Sequence, residues 1–107
     1  MPILITESGF IDTPEGKSQK LVEILGHVHE AIAAGVDVRG YCYWTLIHDY
    51  EWNNAWQEDM GLYALPSLAS GTPGPNTDFT RVPHLPFTEV FHQVTKANGL
   101  TEDLIKA

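Results

Sequence analysis

The sequence predicts an α/β fold with the order β-α-β-loop-α, and three observations carry that prediction. Ile3 to Thr6 is a short apolar run rich in β-branched residues, the pattern of a buried strand. Leu21, Ile24, Leu25, Val28, Ala31 and Ile32 recur at i, i+3, i+4 and i+7, which marks an amphipathic helix. Val36 to Leu46 is then nearly all apolar or aromatic, as expected of a strand covered on both faces. A strand, a long helix and a second buried strand form a βαβ unit with a right-handed crossover.

Each element has its own local signals. Glu7-Ser8-Gly9 follows the first strand at once, so Glu7 stands at its C-terminal tip. Asp12 to Gly16 carries turn chemistry, with Thr13-Pro14 as a helix entry, and the helix is expected from about Lys17 to Ala34. Gly35 is placed to stop it. His48 to Met60 reads as a polar and aromatic loop, and Gly61 to Leu65 as a short extended piece. Residues 66–80 are rich in Pro, Gly, Ser and Thr and predict a surface loop. Phe87, Val90, Phe91 and Val94 define a second amphipathic helix ending near Asn98-Gly99, and Thr101-Glu102-Asp103-Leu104 predicts a capped terminal turn. Polar residues cluster after both strands, at the edge where parallel α/β architectures bind ligands.

Composition narrows the function. The chain has 107 residues, enough for one small domain with a modest core. Six Lys and Arg stand against fourteen Asp and Glu, a net charge of −8, which disfavours nucleic acid and anionic membrane as partners. No apolar run approaches the roughly 20 residues of a membrane span. The N-terminus lacks the basic region and cleavage site of a signal peptide, and the chain opens directly on a strand, as a piece of something larger would. Cys42, the single cysteine, is expected to be a small core hydrophobe. One cysteine fits a reducing compartment, so a cytoplasmic location is expected. The five histidines show no ligand spacing: His27 and His29 fall on different helix faces, and His84 and His92 are far apart. Neither a metal nor a cofactor is expected.

The segment Gly40 to Trp52 concentrates the chemistry. An apolar strand opens into Trp44, Asp49, Tyr50, Glu51 and Trp52. Indole faces cover the C–H side of a pyranose, and carboxylates accept from its hydroxyls, so the expected ligand is a sugar. Trp44 would supply a stacking wall, Glu51 would hold two adjacent hydroxyls, and Trp52 would donate its indole N–H. His48, beside them, would polarise a ligand. Glu7, at a strand tip before the permissive Gly9, is the candidate nucleophile of a glycosidic-bond cleavage, a reaction that commonly uses two carboxylates.

Taken together these blocks resemble family 1 glycoside hydrolases, the β-glucosidase family. Leu4-Ile5-Thr6-Glu7-Ser8-Gly9 resembles the I-T-E-N-G nucleophile motif. Gly35-Val36-Asp37-Val38-Arg39-Gly40-Tyr41 resembles G-V-D-V-R-G-Y, and Trp44-Thr45-Leu46 through Tyr50-Glu51-Trp52 resembles W-S-L-x-D-N-F-E-W. Gly61-Leu62-Tyr63 matches the end of R-F-G-L-Y, and Arg81 with the helix beyond resembles the closing segment. The resemblance implies that Glu7 is the nucleophile of a retaining β-glycosidase, that Trp44 lies under the sugar, and that Glu51 and Trp52 bind the glycone hydroxyls. It also implies that the two strands are the seventh and eighth of a (β/α)8 barrel.

Three departures stand out. Ser8 replaces Asn, His48-Asp49 replaces Asp-Asn, and Asp59-Met60 replaces Arg-Phe. Met60 keeps a soft contact with a sugar face. The chain holds about a quarter of a barrel, as one C-terminal segment over residues 1–107. The family's acid/base sits on a T-x-N-E-P motif, and Asn-Glu-Pro does not occur in this sequence. The isolated chain is therefore expected to be inactive. The expected partners are a β-linked sugar and either the missing N-terminal part of the barrel or further copies of the chain. The alternative is a non-catalytic, self-associating partial-barrel module with at most weak sugar binding.

Overall fold

The computed structural model describes residues 1–68 and 73–106. Strand β1 (Ile3–Ser8), helix α1 (Pro14–Ala33) and strand β2 (Val38–Tyr43) form the βαβ unit. The two strands are parallel, pairing Ile3 with Val38, Leu4 with Gly40, Ile5 with Tyr41 and Ser8 with Tyr43. Two-residue strands β3 (Tyr63–Ala64) and β4 (Val82–Pro83) pair antiparallel, and helices α2 (Phe87–Ala97) and α3 (Glu102–Lys106) close the chain.

Helix α1 starts one turn earlier than expected. Thr13 caps it, its hydroxyl accepting from the Gly16 N–H at 3.1 Å, and Pro14 stands in the first turn, where no amide hydrogen is required. Gly35, at φ +98°, ends it. Asn98 takes the left-handed conformation that ends α2, with φ 52°. β3 lies within the extended piece expected over Gly61 to Leu65, but its pairing with β4 was not legible, because two-residue strands carry no period.

The core lies between the sheet and the two long helices. Leu21, Leu62 and Phe87 are its centre, and Phe10, Leu25, Tyr43 and Phe91 pack around them. The Tyr43 ring meets Phe87 edge-on at 5.2 Å and Phe91 at 5.7 Å, and its hydroxyl donates to the Met60 carbonyl at 2.7 Å. Burial pushes the Tyr43 phenol far up, so it stays a donor.

The other sheet face has no cover among the described residues. A Cβ on Gly40 would touch Leu4, which puts both residues on one face, and Leu4 is 58% exposed there. Cys42 alternates onto that same face and is exposed, contrary to the expected core position. The pattern of β2 reports two buried faces, but the described residues cover only one. The expected surface loop over residues 66–80 begins with a packed turn. Leu65 and Leu68 are buried around a short 3-10 turn at Pro66–Leu68. Residues 69–72 lie outside the described ones, and residues 73–80 run as an irregular, largely exposed stretch.

Two glycines separate opposite outcomes. Gly26 lies inside α1 with open space where a Cβ would go, so Gly26→Ala is expected to stabilise the chain by about 0.5–1 kcal/mol. A Cβ on Gly61 would stand 2.7 Å from the His48 nitrogen and the Tyr63 oxygen, both backbone atoms that cannot step aside. Gly61→Ala is expected to cost about 1–3 kcal/mol, the range for overpacking. Thermal unfolding of the two variants should therefore move in opposite directions.

Candidate active site

The parallel sheet brings its two C-terminal ends to one rim. The Trp44 N–H donates to the Ser8 carbonyl at 2.9 Å, so the residue after β2 is tied to the residue after Glu7. Glu7 is exposed at that rim. Trp44 is 40% exposed beside it, and its indole N–H donates to Glu51 Oε1 at 2.9 Å. The Trp44–Thr45 peptide bond is cis.

The chain returns to the rim through Met60. Leu62 and Tyr63 donate their N–H groups to Thr45 and Leu46 carbonyls, at 3.0 and 3.1 Å, which lays this segment along the start of the loop. A Cβ on Gly9 would fall 2.6 Å from Met60 Cε, so the Met60 side chain lies over the backbone that follows Glu7. Glu7, Trp44, Glu51 and Met60 are thus brought to one rim. Trp52 is not drawn in: it is 87% exposed in a 3-10 turn at Trp52–Asn54, with φ 45°. His48 is buried. Its Nε2 donates to the Trp56 carbonyl at 2.8 Å, since a carbonyl can only accept, and its ring meets the Trp56 indole edge-on.

A second polar cluster, unmarked in the sequence reading, holds Met60 from behind. Lys17, 2% exposed in the first turn of α1, sends its ammonium to the Asp59 carbonyl at 2.6 Å and the Gly61 carbonyl at 3.4 Å. Burial lowers the Lys17 pKa, and the Asp59 and Asp12 charges oppose that shift. The Asp59 carboxylate accepts from the Gly61 N–H at 2.8 Å and from His84 Nε2 at 2.7 Å. One loop residue is therefore fixed to α1 and to the segment after β4. The available signal was the Asp59 departure itself, but its partners lie 42 and 25 positions away.

Asp49, which the sequence places among the carboxylates after β2 without a role, lies close to Glu51. Burial first, and then the Glu51 carboxyl beside it, push its pKa up to about 6, while the Trp44 indole pulls it down. Among the described residues no group of three metal-ligating side chains comes together. No described helix is long and apolar enough to cross a membrane.

An exposed carboxylate, an indole wall and a second carboxylate at the rim of a parallel sheet can grip a polyol and attack an electrophilic carbon. Residues 2–74 match the profile of Glycosyl hydrolase family 1. The chain belongs to glycosyl hydrolase family 1. It is 30% identical over 105 residues to a beta-galactosidase of Sulfolobus acidocaldarius, covering 97% of this chain and 19% of that relative. It is 35% identical over 77 residues to the peroxisomal beta-glucosidase 26 of Arabidopsis thaliana, covering 58% of this chain and 14% of the relative. Among solved structures, the beta-glycosidase from Pyrococcus horikoshii superposes with a TM-score of 0.81 at 28% identity, over 98% of this chain and 23% of that one. This family 1 chain thus spans about a fifth of the length of the relatives it matches. Its partial α/β structure corresponds to a piece of their (β/α)8 barrels.

Proposed function

We propose that the chain is the C-terminal part of a retaining β-glycosidase, with Glu7 as the nucleophile. The observation that carries this is the rim itself, where Glu7, Trp44 and Glu51 stand together at the ends of two parallel strands. In this reading β1 and β2 are the seventh and eighth strands of the barrel. Glu7 attacks the anomeric carbon and the glycosidic oxygen departs, giving a covalent glycosyl-enzyme that water then hydrolyses. Trp44 lies against the C–H face of the glycone, Glu51 accepts from its hydroxyls, and Met60 touches its edge. Trp52 reaches the sugar only by turning in from solvent. The leaving group needs a general acid, and no Asn-Glu-Pro in the given sequence supplies one. The substrate class is a β-linked glucoside or galactoside, by analogy with the named activities of the relatives, acted on in the cytoplasm.

A 2-deoxy-2-fluoroglycoside with a good leaving group tests the assignment when incubated with the longer protein that contains this segment. Peptide mapping should find the label on Glu7. Label on any other residue refutes the nucleophile assignment.

The uncovered sheet face favours a second reading of the chain in isolation. Leu4 and Cys42 are exposed on it, and both edges of the two-stranded sheet are free of described partners. On this reading the 107 residues self-associate without turning over substrate. Light scattering showing a monomer would remove it.

A further inference from the structure

The loop after β2 carries a carboxyl that the sugar chemistry above leaves unused. Asp49 stands five residues after Trp44 and two before Glu51. Its Oδ1 is sealed from solvent and meets no donor among the described residues. A bare carboxylate oxygen in that position is unfavourable, and holding a proton relieves it. Its neighbour Glu51 already accepts from the Trp44 indole at 2.9 Å, and that same indole also acts on Asp49. Two ionised carboxylates crowded on one indole repel each other.

We propose that Asp49 is kept as the acid and donates its O–H to Glu51, so that Asp49 is a positioning residue pinning Glu51 against Trp44. The proposal deepens the sugar-site reading and rests on it for what Glu51 faces; the shared proton does not depend on it. With the proton in place the pair carries one negative charge, and Glu51 is held by two donors. An ionised carboxylate has about four lone-pair sites, so roughly two remain for sugar hydroxyls. When the proton leaves, Asp49 repels Glu51, and the indole contact loosens.

The environment sets where this happens. Burial and the Glu51 charge push the Asp49 carboxyl up to about 6. The groups acting on it are Glu51, the Trp44 indole and its own backbone N–H. His48, next in sequence, is engaged by the Trp56 carbonyl, and Lys17, Asp59 and His84 are engaged with one another. The folded chain binds this proton more tightly than the unfolded chain. Its contribution to stability is therefore complete below about 3.8 and fades as the pH rises through about 6.

The test is a titration of the 107-residue chain, isotopically labelled, followed by NMR at the Asp49 carboxyl carbon and the Trp44 indole N–H. Both are expected to move together with a midpoint at about 6. In Glu51→Gln the Asp49 midpoint should fall below that of the native chain while burial still holds it above the ordinary 3.8, and in Asp49→Asn the Trp44 signal should lose that transition. An Asp49 midpoint near 3.8 in the native chain overturns the proposal. So does a Trp44 transition with that midpoint that survives in Asp49→Asn. The titration needs no sugar, so a fluoroglycoside label away from Glu7 would retire the sugar reading alone.

Discussion

Glu7→Gln is expected to lower turnover of an aryl β-glucoside by the longer protein by about 10⁴-fold or more, the scale seen when a covalent nucleophile is removed. The substitution keeps the size of the side chain and removes only the ability to form the ester. Glu7 is exposed at the rim, so little packing is disturbed, and the unfolding midpoint should stay within about 0.5 kcal/mol of the native one. A smaller replacement, Glu7→Gly, opens space in which azide can attack the anomeric carbon from the vacated side. Partial rescue, with a glycosyl azide of inverted configuration as product, is the expected outcome. A product analysis that shows neither loss in Glu7→Gln nor rescue in Glu7→Gly would place the nucleophile elsewhere.

The largest stability effect is expected at Lys17. Its ammonium is buried, donates to the Asp59 and Gly61 carbonyls, lies over the Phe87 ring at 5.8 Å, and offsets the Asp59 charge. Lys17→Met keeps the length and apolar stem but removes every one of these contacts. Two carbonyls and one carboxylate lose their donor or counter-charge, at about 1–3 kcal/mol for each buried group left unpaired. A total loss of about 3–5 kcal/mol is expected from the buried carbonyls left without a charged donor. In a chain of this size that lowers the thermal midpoint by roughly 15 °C or more. Lys17→Met with Asp59→Asn should recover part of the loss, because the Asp59 charge that Lys17 offset is removed as well. Calorimetry that shows the double variant no better than the single would mean Lys17 acts through packing alone.

What the sequence could report is what repeats at short range. The periodicity of α1 and α2, the Thr13-Pro14 entry and the Gly35 and Asn98 stops are local signals, and the structure follows them to within a turn. Placement of Glu7 and Trp44 at one rim was also legible, because two strands joined by a right-handed crossover must be parallel. The Lys17–Asp59–His84 cluster was not, since its members are far apart in the chain and each resembles a surface charge alone. Asp49 was visible as a departure from the family pattern, yet its proximity to Glu51 depends on how the loop folds back on Trp44. Cys42 misled for a related reason: a strand records the covering it was selected under, while the described residues supply one face of it.

The central claim is that one acid from β1 and one indole from β2 form a single sugar site. A crystal structure of the longer protein trapped with a 2-deoxy-2-fluoroglycoside tests it most directly. The expected result is a bond from the anomeric carbon to a Glu7 carboxylate oxygen, with Trp44 under the ring and Glu51 on its hydroxyls. A sugar bonded to another residue, or seated away from the β1–β2 rim, would contradict it.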